Sequence, residues 1–403
     1  MTTTPPTGGM GRAPSPYLTP ELARWRAEVS AFVQRELVPL SAQVESERAV
    51  PPEALRKLRA MGLFGTHTPR EYGGLGLSML GSCIAIEALA AAHIAFYYTC
   101  GVNVHIGSKA IEIAGTEAQK RAYLPRLASG EFISALAMTE PGAGSDAAAI
   151  ATAARPERGG YLLQGSKIFI TNAQIADCFT VIARTADARG RGLSAFIVPR
   201  GTAGLRIGAP IEMLGGAGSF HNEVFFDACW LPAHALIGTE GQGFELAMRC
   251  LDHGRLHWAA YSVGLAQALL DLALERTSTR QQFGQPLAEN QAVRWELAGM
   301  AAEVHAARLL AYDAAWRFDH DPAHRSAWAA LAKGSNGDMV FRVADRVLQL
   351  FGGYGYSKLS PVERMWRESR VVRILDGTSQ MMKQIVGREL LRGGFGGGER
   401  EAA

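Results

Sequence analysis

Lys167-Ile168-Phe169-Ile170-Thr171, Phe179-Thr180-Val181-Ile182 and Ser194-Ala195-Phe196-Ile197-Val198 are three short runs of β-branched and aromatic residues separated by Gly, Asn, Asp and Pro. Residues branched at Cβ lose rotamer freedom in a helix and pack well on a pleated surface, so this texture predicts strands. It extends from about Phe132 to Gly238 and marks residues 132–238 as a middle β domain, barrel-like or sandwich-like. Before it, from Glu21 to about Gly130, apolar residues recur at helical spacing, as in Leu22, Trp25, Val29, Phe32 and Val33, with breaks at Pro51-Pro52 and Tyr72-Gly73-Gly74. After it, from Gly241, helical periods return over roughly Phe244–Thr277, Gln291–Phe318, Ala327–Leu350 and Val362–Ile374, and a further helix is expected to start near Ser379. The expected architecture is α+β and multidomain. It comprises an N-terminal α-helical domain (21–131), the middle β domain (132–238) and a C-terminal four-helix bundle (239–393), between a disordered arm (1–20) and a Gly-rich tail (394–403).

With 403 residues and 48% apolar composition, the chain can bury a large core and divide into two or three domains. Its 41 basic and 38 acidic residues give a net charge of only +3, which argues against nucleic acid or an anionic membrane as the main partner. The five cysteines, Cys83, Cys100, Cys178, Cys229 and Cys250, are widely spaced and form no CxxC pair, so neither a disulfide framework nor a zinc site is expected. His253 and His257, four apart, lack further ligands and read as ordinary helix residues; no metal is expected. No apolar run reaches the ~20 residues of a spanning helix, and the start lacks a secretory pattern. A soluble, cytoplasmic protein is the expectation.

Met138-Thr139-Glu140-Pro141-Gly142-Ala143-Gly144-Ser145-Asp146 is the stretch richest in chemistry. Its glycines and proline place several backbone N–H groups on a tight loop beside hydroxyls, suited to a polar ring edge or a phosphate, although such a loop alone is more often only a turn. Arg280 offers a planar fork suited to phosphate. Asp252 and Arg255 stand at i, i+3, which a plain intrahelical ion pair explains. Gly352-Gly353-Tyr354-Gly355 follows no strand and is no Rossmann fingerprint.

Ala137 to Asp146, Ile170-Thr171-Asn172, Arg280-Gln281-Gln282-Phe283-Gly284, Gln349-Leu350-Phe351-Gly352-Gly353 and Asp376-Gly377-Thr378-Ser379-Gln380 together resemble, in order, the motifs of the acyl-CoA dehydrogenase family. The similarity runs from about Glu21 to Arg392. It implies FAD as cofactor, an acyl-CoA or related thioester as substrate, an electron-transferring flavoprotein as the next acceptor, and a homotetramer. By the same resemblance, Leu136 to Ser145 wrap the flavin, with contacts from Leu136, Met138, Thr139, Gly144 and Ser145, and Ser145 also reaches the substrate. Phe169, Ile170 and Thr171 cover its other side; Phe169 stands where most members have Trp, keeping the stacking surface but not the indole donor. Arg280, Phe283 and Gln291 resemble residues that hold the pyrophosphate and adenine of FAD from a neighbouring subunit, and Gln349, Gly352 and Gly353 those that close over its adenosine end. Thr378, Ser379 and Gln380 complete the implied cofactor set, while Phe244, Asp252, Arg255 and Gly377 are implied substrate contacts.

Oxidising a thioester across its α and β carbons needs a base for the α proton, an acceptor for the β hydride and polarisation of the thioester oxygen. In the family the base is usually a Glu directly before Gly-Thr-Ser-Gln; here that position is Asp376. The side chain is one methylene shorter, a change of ~1 Å that can cost ~10²-fold in a tight site. Some relatives carry the base on the core helix before an Arg, but this chain reads Asp252-His253-Gly254-Arg255, and Gly254 has nothing to offer. A helix starting near Ser379 would favour ionised Asp376, and burial beside a flavin the neutral acid. The expected reaction is FAD-dependent oxidation of an acyl-CoA to the 2,3-enoyl-CoA, with Asp376 as base and flavin as acceptor. Alternatives are a flavin oxidase of the nitroalkane-oxidising kind or a specialised desaturase in the same fold, and a non-catalytic descendant that binds FAD or acyl-CoA.

Overall fold

A computed structural model describes residues 15–187 and 192–394. The expected arm up to residue 14 and the expected tail from residue 395 lie outside the described residues. The chain opens with helices α1 (Pro20–Phe32), α2 (Ser41–Glu47), α3 (Pro52–Ala60), α4 (Met79–Leu89), α5 (Ile94–Val102), α6 (Lys109–Ala114) and α7 (Glu117–Ala128). Proline opens α1 and α3, where a missing N–H costs no helical bond. Helix α7 starts at a capping box, Thr116 N donating to Gln119 Oε1 at 2.8 Å and Gln119 N to Thr116 Oγ1 at 3.2 Å. Helices α4 and α5 are buried on nearly every side, which explains the apolar Ile84–Ala95 stretch as a core segment. No helix among the described residues is long and apolar enough to cross a membrane.

Helix α5 runs directly into one π-helical turn, Asn103–Gly107. The buried Asn103 pins it: its amide donates to Leu127 O and its carbonyl accepts from Ser134 N and Oγ, each at 2.8 Å. Such turns widen a helix locally and recur at functional sites. Here the turn joins the helices to the sheet and carries Ile106 against Gly254.

The sheet contains β1 (Ser134–Ala137), β2 (Ala153–Glu157), β3 (Gly160–Thr171), β4 (Cys178–Arg184), β5 (Leu193–Pro199), β6 (Leu205–Pro210), β7 (His221–Pro232) and β8 (Leu236–Ile237). Its order is β6-β7-β3-β2-β4-β5-β8, with β1 parallel to β4. Strands β2 and β4 meet at a single parallel pair, Ala153 opposite Arg184; apart from this seam and the parallel β1–β4 pair, the sheet is antiparallel. Strands β4 and β5 are buried along both faces, which is why they read as continuous apolar runs and not as alternation.

Beyond the sheet come α8 (Gly243–Thr279), a hairpin of β9 (Gln281–Gln282) and β10 (Gln285–Pro286), α9 (Gln291–His320), α10 (Arg325–Phe351), α11 (Val362–Val371) and α12 (Ser379–Leu391). Helices α8, α9, α10 and α12 pack together, and α8 also crosses α4. At that crossing a Cβ on Gly264 would lie 1.9 Å from the Glu87 carbonyl oxygen, so only glycine permits the approach. Helix α11 ends three residues earlier than its apolar period, and the segment that follows it carries Asp376.

Candidate active site

Strand β3 pairs with β7 through a register shift between Lys167 and Ile170. The bulge turns Phe169 to a φ of 57° and leaves its ring 50% exposed. Ile168 N donates to Thr139 O at 2.9 Å, tying the bulge to the Gly-rich loop. Beneath it the buried Lys167 Nζ donates to Met138 O at 2.9 Å and Glu140 Oε1 at 2.8 Å. Glu140 also accepts from Ala151 N and Thr152 N at 2.7 and 2.9 Å. Burial pushes Glu140 up, but Lys167 and these bonds outweigh it and hold the carboxyl below its ordinary pKa, while burial pulls Lys167 down to about 8. The loop is therefore pinned from below and open above. Gly142, Gly144 and Ser145 are exposed, and among the described residues their amides make no hydrogen bond. A Cβ at Gly142 or Gly144 would meet nothing within 4 Å. Free amides, the half-buried Thr139 and a half-exposed aromatic face suit a planar ring with a polar edge, and the loop's donors suit an anion.

Strand β3 ends at Thr171, whose Oγ1 lies 3.0 Å from His221 Nδ1. Burial lowers the His221 pKa to about 4, so its imidazole is neutral at pH 7. Tyr98 on α5 meets His221 edge-on at 5.1 Å and Trp258 on α8 at 5.6 Å. Thus Thr171, through His221 and Tyr98, adjoins the aromatic cluster that reaches Asp376.

Asp376 sits between α11 and α12 with a φ of 49°, a left-handed conformation that Asp tolerates better than most residues, followed by Gly377 at 93°. Three side chains hold it. Trp258 Nε1 donates to Oδ2 at 3.0 Å, Arg255 Nε donates to the Asp376 carbonyl at 3.2 Å, and the buried Lys333 of α10 grips the carbonyls of Leu375 and Gly377. Burial raises the Asp376 pKa; Lys333, Arg255 and the Trp258 bond oppose without cancelling it. Gly254 faces the carboxylate so closely that a Cβ there would stand 2.7 Å from Oδ2. Arg255 also donates to Asp252 Oδ1 at 2.7 Å, and Ser326 to the same oxygen at 3.1 Å, so the i, i+3 ion pair read from the sequence forms. Thr378 caps α12 by accepting from Met381 N at 3.2 Å.

Three family profiles match in chain order: the acyl-CoA dehydrogenase N-terminal domain over residues 19–131, the middle domain over 135–229 and the C-terminal domain over 241–391. The chain belongs to the acyl-CoA dehydrogenase family. It is 38% identical over 378 residues to the acyl-CoA dehydrogenase of Bacillus subtilis (strain 168), covering 94% of this chain and 100% of that one. Among solved structures, butyryl-CoA dehydrogenase from Megasphaera elsdenii superposes with a TM-score of 0.90 at 34% identity, covering 93% of this chain and 99% of that one. A structure described as PigA with FAD and proline gives a TM-score of 0.90 at 29% identity, covering 94% and 99%. Acyl-CoA dehydrogenases are oxidoreductases acting on CH–CH groups, and the three-domain order of helices, sheet and helices is that of the family.

Other motif residues of this chain lie apart from Asp376. Arg280 caps the end of α8, Gln291 opens α9, and Phe283 between β9 and β10 has a left-handed φ of 53° and a fully exposed ring. Gln349, Gly352 and Gly353 are likewise exposed at the end of α10. Phe244, on the first turn of α8, packs against a different apolar cluster from the one holding Trp258. Sequence reading passed over Trp258, Lys333, Tyr97, Tyr98 and His221. A helical wheel of α8 would have flagged Trp258, one turn beyond Gly254; Lys333 and His221 are brought in by tertiary packing and leave no local signal.

Proposed function

We propose that this protein is an FAD-dependent enzyme that oxidises an acyl-CoA thioester to the 2,3-enoyl-CoA, with Asp376 as the base. The supporting observation is a carboxylate on a left-handed turn, held on three sides and raised in pKa by burial, beside the face that carries Thr171. The free amides of the Gly-rich loop, Thr139, Phe169 and Thr171 fit FAD; when bound, FAD supplies the two-electron acceptor for the β hydrogen. Asp376 takes the α proton: the α C–H bond breaks, an O–H bond forms on the carboxylate, and the electron pair left behind becomes the new double bond as the β hydrogen departs with its own pair. Arg255 and Lys333 keep the base's turn in place through its carbonyls. Arg280, Phe283, Gln291, Gln349, Gly352 and Gly353 would meet the cofactor of a neighbouring copy in a homotetramer, a role that suits a wholly exposed Phe283 ring. An electron-transferring flavoprotein then reoxidises the enzyme.

Anaerobic titration of the FAD-loaded protein with straight, branched and cyclic acyl-CoAs tests this reading. Bleaching of the flavin absorbance by one of them is the expected result, and a flavin that no thioester bleaches would overturn it. Hydrogen peroxide released on admitting air would mark the oxidase alternative.

The pH profile carries a second expectation. Burial lowers the Lys333 pKa to about 8, so the ammonium that grips Leu375 O and Gly377 O loses its charge above that pH. A charge-assisted bond exceeds a neutral one by ~1 kcal/mol, so the rate should fall about fivefold above pH 8. In Lys333→Met this alkaline limb should vanish and the rate stay low throughout; stopped-flow flavin reduction from pH 6 to 10 measures both.

A further inference from the structure

We infer that Trp258 is the positioning residue for the base: its indole N–H fixes Oδ2 of Asp376, so that the α proton is delivered to Oδ1. The inference rests on the proposed role of Asp376. Trp258 is 3% exposed, and its Nε1 lies 3.0 Å from Oδ2. The indole itself cannot swing away. Tyr97 meets it edge-on at 4.6 Å, Tyr261 at 5.3 Å and Tyr98 at 5.6 Å.

An indole N–H only donates, so the oxygen facing it must accept. On its far flank Oδ2 faces Gly254, which has no side chain to accept a proton; a Cβ built there would stand 2.7 Å away. A proton arriving on Oδ2 would meet the indole N–H, which cannot accept it. A proton on Oδ1 leaves the indole bond intact in both states of the base. A side chain as short as Asp reaches the substrate in one orientation only if something holds its second torsion, and the indole does so directly. The bond also favours the ionised carboxylate against the burial that disfavours it. The other charged or titratable groups facing Asp376 are Arg255 on α8, Lys333 on α10 and the phenols of Tyr97 and Tyr98 on α5. All keep their own ionisable groups when position 258 is changed, and the two phenols that pack on the indole are the reason for keeping the ring in the test.

The test replaces the N–H and keeps the ring. Benzothienylalanine at position 258 puts sulfur where the indole carries N–H, at nearly equal volume; Trp258→Phe is the genetically simple companion. Each FAD-loaded variant is followed by flavin reduction against pH and by infrared titration of the carboxyl band that disappears in Asp376→Asn. The acid limb of flavin reduction and the infrared midpoint should both move up by about one pH unit. The limiting rate at high pH should fall ~10-fold, with KM changed less than about twofold. If the limb and the midpoint stay put in the benzothienylalanine variant, Trp258 is only a packing residue and the inference is overturned. The infrared midpoint needs no substrate. It therefore reads the hold on the carboxyl even if Asp376→Asn still reduces flavin, the outcome that would overturn the base assignment itself.

Discussion

Asp376→Asn is expected to bind FAD and fold as the parent does, yet to lose flavin reduction by about 10²–10⁴-fold, the range for a proton-transfer group that has no substitute. Asn has the same shape and offers Trp258 an acceptor, so the loss would report the missing base and not a collapsed site. Two further variants separate chemistry from fit. Asp376→Glu restores the length common in the family but moves the carboxylate one methylene beyond the Trp258 N–H that holds Oδ2. It is expected to run ~10-fold or more below the parent. Gly254→Ala leaves the base in place chemically and crowds it sterically, with an expected loss approaching 10². The two departures from the family pattern, a shorter base and a glycine before Arg255, are thus one feature, because Gly254 leaves free the space beside the Asp376 carboxylate. Single-turnover stopped-flow on all three, against the acyl-CoA that bleaches the parent fastest, measures the set. Parent-like reduction by Asp376→Asn would remove the residue from the chemistry.

The fold was legible because its signals are local. β-Branched runs became β3, β4 and β5, and the helical periods from Phe244, Gln291 and Ala327 became α8, α9 and α10 to within a few residues. Helix α11 was read three residues too long because Val372 and Ile374 continue an apolar period, although the chain has already turned toward Asp376. The site was legible only as motifs. That Asp376 precedes a helix could be read; that it is held by Trp258 and Lys333, more than forty residues away, could not. Nor could the bulge at Phe169, since nothing in Lys167-Ile168-Phe169 departs from ordinary strand texture. Two glycines show the same divide. Gly254 read as a missing base, whereas Gly264 gave no signal, and both are fixed by what passes beside them in space.

Lowering the pH from 7 to 5 should destabilise the protein far more than its near-neutral charge suggests, because five histidines are held uncharged by burial. Burial lowers His67 to about 3 and His221 to about 4, and carries His105, His253 and His257 well below the ordinary histidine value. Among the described residues, none of the ring nitrogens of His105 and His257 has a hydrogen-bond partner, and the two rings lie in direct contact. A group whose folded pKa is depressed contributes stability that is full above its unfolded pKa and is lost as pH falls toward the folded one. For these histidines that window opens near pH 6.5, where the unfolded chain begins to take up protons that the folded chain refuses. Each costs about 2 kcal/mol by pH 5, so five together approach about 10 kcal/mol, comparable with the whole stability of a typical domain. Urea unfolding midpoints at pH 7, 6 and 5 should therefore fall steeply, with a proton uptake on unfolding of several per chain at pH 5. His257→Leu, which removes one unpartnered imidazole at similar volume, should reduce that uptake by about one proton and flatten the decline. A stability unchanged between pH 7 and 5 would mean that these imidazoles find protons or partners inside the fold, and the interior around His105 and His257 would then have to hold a charge.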